Sequence, residues 1–225
     1  MILAIAAAIA AVQAPAAECP DLVTTEALKC RALQASKSGN AEAAAEAFEQ
    51  AATAQSEDQA EKARLLAAAG NMWIAAGQAG KAALALDKAL AGTGLQVEQR
   101  GEALLDRARA AEAQNDLKAA RSKVTEAART ISGDPFLWYF SAALAIREGD
   151  AVTAKEAINR ALTLEPNDPT VLFEAGHVYH FAGDEAAARS YWTRASTADP
   201  NGKSGQAARE ALAMLPAPVT APASR

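Results

Sequence analysis

The sequence predicts an all-α protein with an internal repeat, and three observations lead to that fold class. Apolar residues make up 51% of the 225 residues while aromatic residues make up only 5%, and alanine, the residue with the highest helix propensity, carries most of the apolar count. No short run combines β-branched alternation with hairpin turns, as a strand would. The chain also repeats itself, because Pro135 and Pro169, like Pro166 and Pro200, lie 34 residues apart.

The first 17 residues are typical of a signal peptide. The apolar stretch up to Val12 is too short to span a bilayer, and Ala14-Pro15-Ala16 supplies an A-x-A cleavage motif. No Lys or Arg precedes the stretch, so a buried N-terminal helix is the alternative. We expect cleavage after Ala16 or Ala17, a periplasmic or secreted protein of a Gram-negative bacterium, and no stable membrane span in the mature chain.

The N-terminal segment 18–24 and the start of the first helix hold the two cysteines of the chain, Cys19 and Cys30. A pair this close is expected to form a disulfide in an oxidising compartment, and two unpaired thiols are the alternative. The disulfide would stabilise the fold by about 3 kcal/mol if it acts through the entropy of the unfolded chain. Two cysteines are too few for a thiolate zinc site.

The charge of the chain argues against nucleic acid as a partner. The formal net charge is −5 and the isoelectric point is near 5.2. No group of Lys and Arg residues exceeds what a solvated helix face carries. Binding to nucleic acid needs a positive surface, which this sequence does not supply.

The 34-residue period is clearest in segment 169–202, where large and small residues take fixed positions. They are Leu172 at position 4, Ala175 and Gly176 at 7 and 8, Tyr179 at 11, Ala188 at 20, Trp192 at 24, Ala195 at 27 and Pro200 at 32. This pattern resembles the tetratricopeptide repeat (TPR), a helix-turn-helix unit. Weaker matches give five repeats in all: 25–58, 63–96, 101–134, 135–168 and 169–202. The four residues left over at 59–62 and at 97–100 predict one added helical turn each.

The resemblance implies a right-handed α-solenoid of about five TPR repeats, since one repeat cannot bury its apolar face alone. Residues 203–215 predict a capping helix, and residues 216–225 predict a disordered tail. The three tryptophans, Trp73, Trp138 and Trp192, take positions that need bulk, so we expect them in the core.

In the resembled family the first helix of each repeat lines a concave groove. Large side chains at the free positions of the last two repeats have no scaffold role and therefore indicate a binding patch; they are Phe136, Tyr139, Ile146, Arg147, Phe173, His177, His180 and Phe181. A carboxylate clamp is not evident, because only Arg64 and Asn71 come near one. A terminal helix or a second copy of the chain could cover the patch instead, which leaves a homo-oligomer open.

These residues favour a non-enzymatic scaffold or adaptor that binds a peptide or protein segment in the groove and needs no cofactor. A periplasmic chaperone or envelope assembly factor is the alternative. A metal-dependent module is a third hypothesis, since Glu174, His177 and His180 are spaced along one helix face. A zinc site needs further ligands, however, and no pairing of a nucleophile with a base can be named.

Overall fold

The computed structural model describes residues 19–55 and 57–216, and this part of the chain forms eleven α-helices and no strand. The all-α fold class is thus confirmed. The predicted signal peptide and residues 217–225 of the predicted tail lie outside the described residues. The helices are α1 (Thr25–Lys37), α2 (Ala41–Ala54), α3 (Gln59–Ala75), α4 (Ala79–Leu90), α5 (Val97–Ala113), α6 (Leu117–Ala127), α7 (Pro135–Glu148), α8 (Ala151–Leu164), α9 (Pro169–Phe181), α10 (Glu185–Ala198) and α11 (Lys203–Met214).

Ten of these helices form five pairs that stack in chain order, and each pair packs on the next. The extra residues at 59–62 and 97–100 form the first turns of α3 and α5, which have 17 residues each. The turn inside every pair passes through one residue in the left-handed region. That residue stands at position 15 of all five repeats, as Gly39, Gly77, Asn115, Gly149 and Gly183. The repeat register therefore runs through the whole stack.

Several helices begin directly after an aspartate, which caps their first turn. The side chains of Asp134 and Asp168 accept backbone N–H groups at the first turns of α7 and α9, where a carboxylate also interacts favourably with the helix dipole. Pro135 and Pro169 follow them at the first helical position, where the missing N–H costs nothing. The 34-residue proline spacing thus marks helix starts.

Small residues at position 8 allow the two helices of a pair to approach closely. A Cβ added to Gly176 would overlap the Trp192 indole, and one added to Gly70 would overlap the Leu86 side chain. Trp73 and Trp192 are buried, as predicted. Trp138 is only half-buried, and its Nε1 donates to the Ser132 carbonyl at 2.7 Å.

The two ends of the stack are held in different ways. The helix α11 packs on α9 and α10, where Ala208 joins a buried cluster with Leu172 and Trp192. At the other end a disulfide joins Cys19 to Cys30 across a Cα–Cα distance of 5.7 Å, which holds the segment before α1 against that helix. Among the residues described, no helix is long and apolar enough to cross a membrane.

Candidate binding groove

Two pairs of first helices lie side by side, α3 against α5 and α7 against α9, and the capping helix α11 packs against α9. We call the surface they present, from α3 to α9, the concave surface. Its N-terminal half comprises α3 and α5, and its C-terminal half comprises α7 and α9.

The N-terminal half contains a pocket of about 570 Å³ between α3 and α5, which residues at the start of α7 also line. Positions 2, 5, 6 and 9 of the second and third repeats supply much of its lining: Arg64, Ala67, Ala68, Asn71, Glu102, Leu105, Asp106 and Arg109, joined by Phe136. The groove predicted from the sequence lies further toward the C-terminus. Arg64 and Asn71 were considered only as a possible clamp, and Asp106 was not among the predicted site residues.

Three of the polar side chains in this pocket, Asp106, Asn71 and Arg64, are already bound within the chain. Asp106 accepts a hydrogen bond from Asn71 Nδ2 at 2.8 Å and another from Arg109 Nη1 at 2.8 Å. Arg64 donates twice to Glu61, and hydrogen bonds from Lys29 and Arg64 lower the pKa of that carboxyl. Both candidates for a clamp, Arg64 and Asn71, are therefore already bound to carboxylates of the chain.

The C-terminal half begins with a group of rings on α7. Phe136 contacts Tyr139 edge to face, with ring centroids 5.0 Å apart, and Phe140 at 6.1 Å. The Arg109 guanidinium lies 5.3 Å from the Phe136 ring centre, so Phe136 joins the pocket to the aromatic surface. Burial, followed by the charge of Glu174, raises the pKa of Tyr139 to about 12. The Tyr139 hydroxyl has no hydrogen-bond partner in the described part of the chain.

Two of the predicted groove residues of α9, Phe173 and His177, pack toward α10 and α11. The His177 ring lies 4.5 Å from Phe173 and 5.3 Å from Trp192, measured between centroids. Phe173 also packs against the buried cluster that Ala208 of α11 completes. The capping helix therefore packs against part of the patch that the sequence predicted to be open. Cover by a terminal helix was one of the two alternatives given for this patch.

The other predicted groove residues have mixed surroundings. Arg147 Nη2 donates to Asn115 at 2.8 Å, and Arg147 is also paired with Glu112, so this side chain ties α7 to the turn before α6. His180 Nδ1 lies 2.8 Å from a Glu185 oxygen. Ile146 packs against the cluster between α7 and α9, whereas Phe181 is 39% exposed.

The third hypothesis, a metal site at Glu174, His177 and His180, gains no support. Within residues 19–55 and 57–216 no group of three His, Cys, Asp or Glu side chains could hold a metal ion. His177 is held between rings, and burial, followed by the charge of His180, lowers its pKa. His180 is paired with Glu185.

Glu174 itself is the unexpected residue of the C-terminal half. Its side chain is half-buried, and burial raises its pKa to about 7. No donor of the described chain bonds to its carboxylate. The surface between α7 and α9 thus combines aromatic rings with a hydroxyl and a carboxylate that lack partners.

Solved structures with similar architecture identify the fold. The chain matches MamA with a TM-score of 0.62 and 18% identity, over 85% of this chain and 98% of that chain. It matches YrrB, a TPR protein with an unusual peptide-binding site, with a TM-score of 0.60 and 17% identity over 84% and 91%. It matches PilW, a type IV pilus biogenesis factor, with a TM-score of 0.68 and 17% identity over 81% of each chain.

These likenesses confirm the TPR fold that the repeat pattern predicted. No family model matches the sequence, and no curated protein does.

Proposed function

We propose that this protein is a non-enzymatic interaction scaffold that holds an extended segment of a partner protein along its concave surface. One observation carries the proposal: the pocket between α3 and α5 and the ring surface of α7 share Phe136, so the pocket continues onto the rings of α7. A pocket of about 570 Å³ with apolar and polar lining is the kind of cavity that takes up side chains of a ligand.

Aromatic side chains would supply most of the binding free energy, because they offer large rigid contact areas. Phe136 and Tyr139 stand on the first two turns of α7 and are both half-buried. Phe173 and His177 are already packed on α10 and α11, so we assign them a smaller share than the sequence predicted. YrrB, with its peptide-binding site, offers a precedent within the same fold.

The test is site-specific photo-crosslinking with p-benzoylphenylalanine at Ala67 in the pocket and at Ala143 on α7. We expect one partner to crosslink from both positions, and we expect the Phe136→Ala, Tyr139→Ala double variant to lose it while its helical circular dichroism is unchanged. The matched control is the same label at Val152, a 70% exposed residue of a second helix. A partner captured equally well from Val152, or retained by the double variant, would contradict the proposal.

We also propose that the protein is exported and works in an oxidising compartment such as the periplasm. The Cys19–Cys30 disulfide supports this, because such bonds persist mainly outside the cytosol. An assembly-factor role is the second candidate, since PilW, of the same fold, is a biogenesis factor. Intact-mass measurement of periplasmic protein should give a chain that begins at Ala17 or Glu18; a full-length chain in the cytoplasm would contradict export.

A further inference from the structure

Two carboxylates stand at the sixth position of their repeats, Asp106 in the third repeat and Glu174 in the fifth. The left-handed residue at position 15, Asn115 in one repeat and Gly183 in the other, fixes this register. The surroundings of the two carboxylates can therefore be compared residue by residue.

Asp106 is fully engaged within the chain. One partner is Asn71, at position 9 of the preceding repeat, and the other is Arg109, at position 9 of its own repeat. Each donates at 2.8 Å. The two donors at position 9 thus satisfy the carboxylate at position 6, and the Arg109 guanidinium also balances its charge.

Glu174 lacks both donors. Position 9 of the preceding repeat is Ala143, and position 9 of its own repeat is His177, whose ring packs on Phe173 and Trp192. Among the described residues Trp73 Nε1 is the only fully buried side-chain nitrogen or oxygen without a partner, so the Glu174 oxygens are still within reach from the surface. A carboxylate that loses water without gaining a donor costs free energy, and a donor from outside the chain would remove that cost.

The charge around Glu174 determines which donor fits. At neighbouring Tyr139 burial raises the pKa, the carboxylates of Glu174, Asp168 and Asp134 raise it further, and the Arg109 guanidinium lowers it. Arg109 is itself bound to Asp106. Negative charge therefore exceeds positive charge on this part of the surface, which favours a cation.

We propose that Glu174 is the specificity-determining residue of the concave surface and binds a lysine or arginine side chain of the partner segment. The cation would lie beside the rings of Tyr139 and Phe136, where a cation–π contact adds to the ion pair, and a neighbouring apolar residue of the segment would pack on those rings. This inference rests on the proposed function and adds the chemistry of the partner to it.

The experiment is phage display of a random 12-residue peptide library on the disulfide-bonded protein, followed by fluorescence anisotropy with a synthetic peptide of the most enriched sequence. We expect enrichment of Lys or Arg next to an apolar residue. Glu174→Gln should weaken binding about 10- to 100-fold, the range of a charged hydrogen bond. Replacing the peptide lysine by norleucine should weaken wild-type binding by the same factor and cause no further loss in the Glu174→Gln variant.

Two more variants separate this effect from misfolding. Ala143→Asn supplies Glu174 with an internal donor like the one that Asn71 gives Asp106. This variant keeps the carboxylate, and it should weaken peptide binding. Glu156→Gln, on the exposed side of α8, makes the same change of charge elsewhere and should leave the affinity unchanged.

The outcomes distinguish the two proposals. Enriched peptides without a cation, or binding that Glu174→Gln leaves unchanged, would overturn this inference and leave the scaffold function standing. A library without any enriched peptide would overturn both. A dimer that Glu174→Gln dissociates would show that a second copy of the chain supplies the cation, which would overturn the assignment to a separate partner.

Discussion

The two halves of the concave surface share one repeat pattern but differ in whether their polar groups have hydrogen-bond partners within the chain. Between α3 and α5 the chain supplies its own donors to a carboxylate, as Asn71 and Arg109 do for Asp106. Between α7 and α9 the surface carries rings, and Glu174 and the Tyr139 hydroxyl have no partner within the described chain.

The comparison shows how a single position can change the role of a site on an unchanged backbone. Asn71 and Ala143 occupy the same register position, yet the first closes an internal hydrogen bond and the second leaves a carboxylate open. Scaffold positions keep the stack together, and free positions such as this one decide which part of the stack can accept a ligand.

The largest effect that we expect is a loss of stability when a glycine at position 8, beneath either half of the surface, is replaced. Gly176→Ala should destabilise the protein by about 3 kcal/mol, at the upper end for overpacking, because the new Cβ would overlap the Trp192 indole. That ring is held by a hydrogen bond from its Nε1 to the Phe173 carbonyl at 3.1 Å. Urea unfolding followed by circular dichroism measures the loss.

The matched change in the N-terminal half is Gly70→Ala, whose Cβ would meet the Leu86 side chain. A leucine can change rotamer, so we expect a smaller loss of about 1–2 kcal/mol. Equal losses at Gly70 and Gly176 would mean that the two pairs pack alike, and the difference drawn here between their cores would be wrong.

The two carboxylates at position 6 should respond oppositely to neutralisation at pH 8. Burial raises the folded-state pKa of Glu174 to about 7 from an ordinary value of 4.5, so the fold favours the protonated form. The contribution of Glu174 to the free energy of unfolding is fully present below about pH 4.5 and is lost as the pH rises through about 7. Glu174→Gln should therefore stabilise the protein at pH 8 by up to about 3 kcal/mol, and Asp106→Asn should destabilise it by about 1.5–3 kcal/mol.

Thermal or urea unfolding of both variants between pH 5 and 8 measures this contrast. Tyr139, with a pKa raised to about 12, does not titrate in that window. His177 has a lowered pKa and is present in wild type and variant alike, so its contribution cancels in the difference. If the stability difference between wild type and Glu174→Gln does not change with pH, Glu174 is not a buried acid of the kind described.

Most of the fold could be predicted from the sequence because its determinants are periodic. Pro135 and Pro169 mark helix starts, and Gly176 marks a close approach that only a small residue permits. Even the weakest repeat keeps a left-handed residue, Asn115, at position 15. These residues act through backbone geometry, which a spacing argument captures.

The groove could be predicted only in part, because its character depends on partners from neighbouring repeats. Phe136 and Tyr139 lie on the surface as predicted, but Arg147 is taken up by the preceding repeat and Phe173 by the capping side. Asp106 and Glu174 stand at position 6, and neither was among the predicted groove residues; Glu174 was considered only as a candidate metal ligand. Aligning the repeats and asking which carboxylate lacks a donor at position 9 of the preceding repeat points to Glu174, because residue 143 is alanine.

The smallest effect that we expect comes from giving Glu174 the donor that it lacks. This change is also the most direct test of the comparison. Ala143→Asn should give Glu174 the hydrogen bond that Asn71 gives Asp106, and a bond to the charged form lowers a carboxyl pKa. We expect the pKa of Glu174 to fall by about one unit, read from the pH dependence of its side-chain carboxyl carbon by NMR. Ala143→Leu has nearly the same shape without a donor, so it should leave the pKa unchanged or raise it through further burial. If Asn and Leu at position 143 shift the pKa alike, the two register positions are not equivalent, and the unpartnered state of Glu174 has another cause.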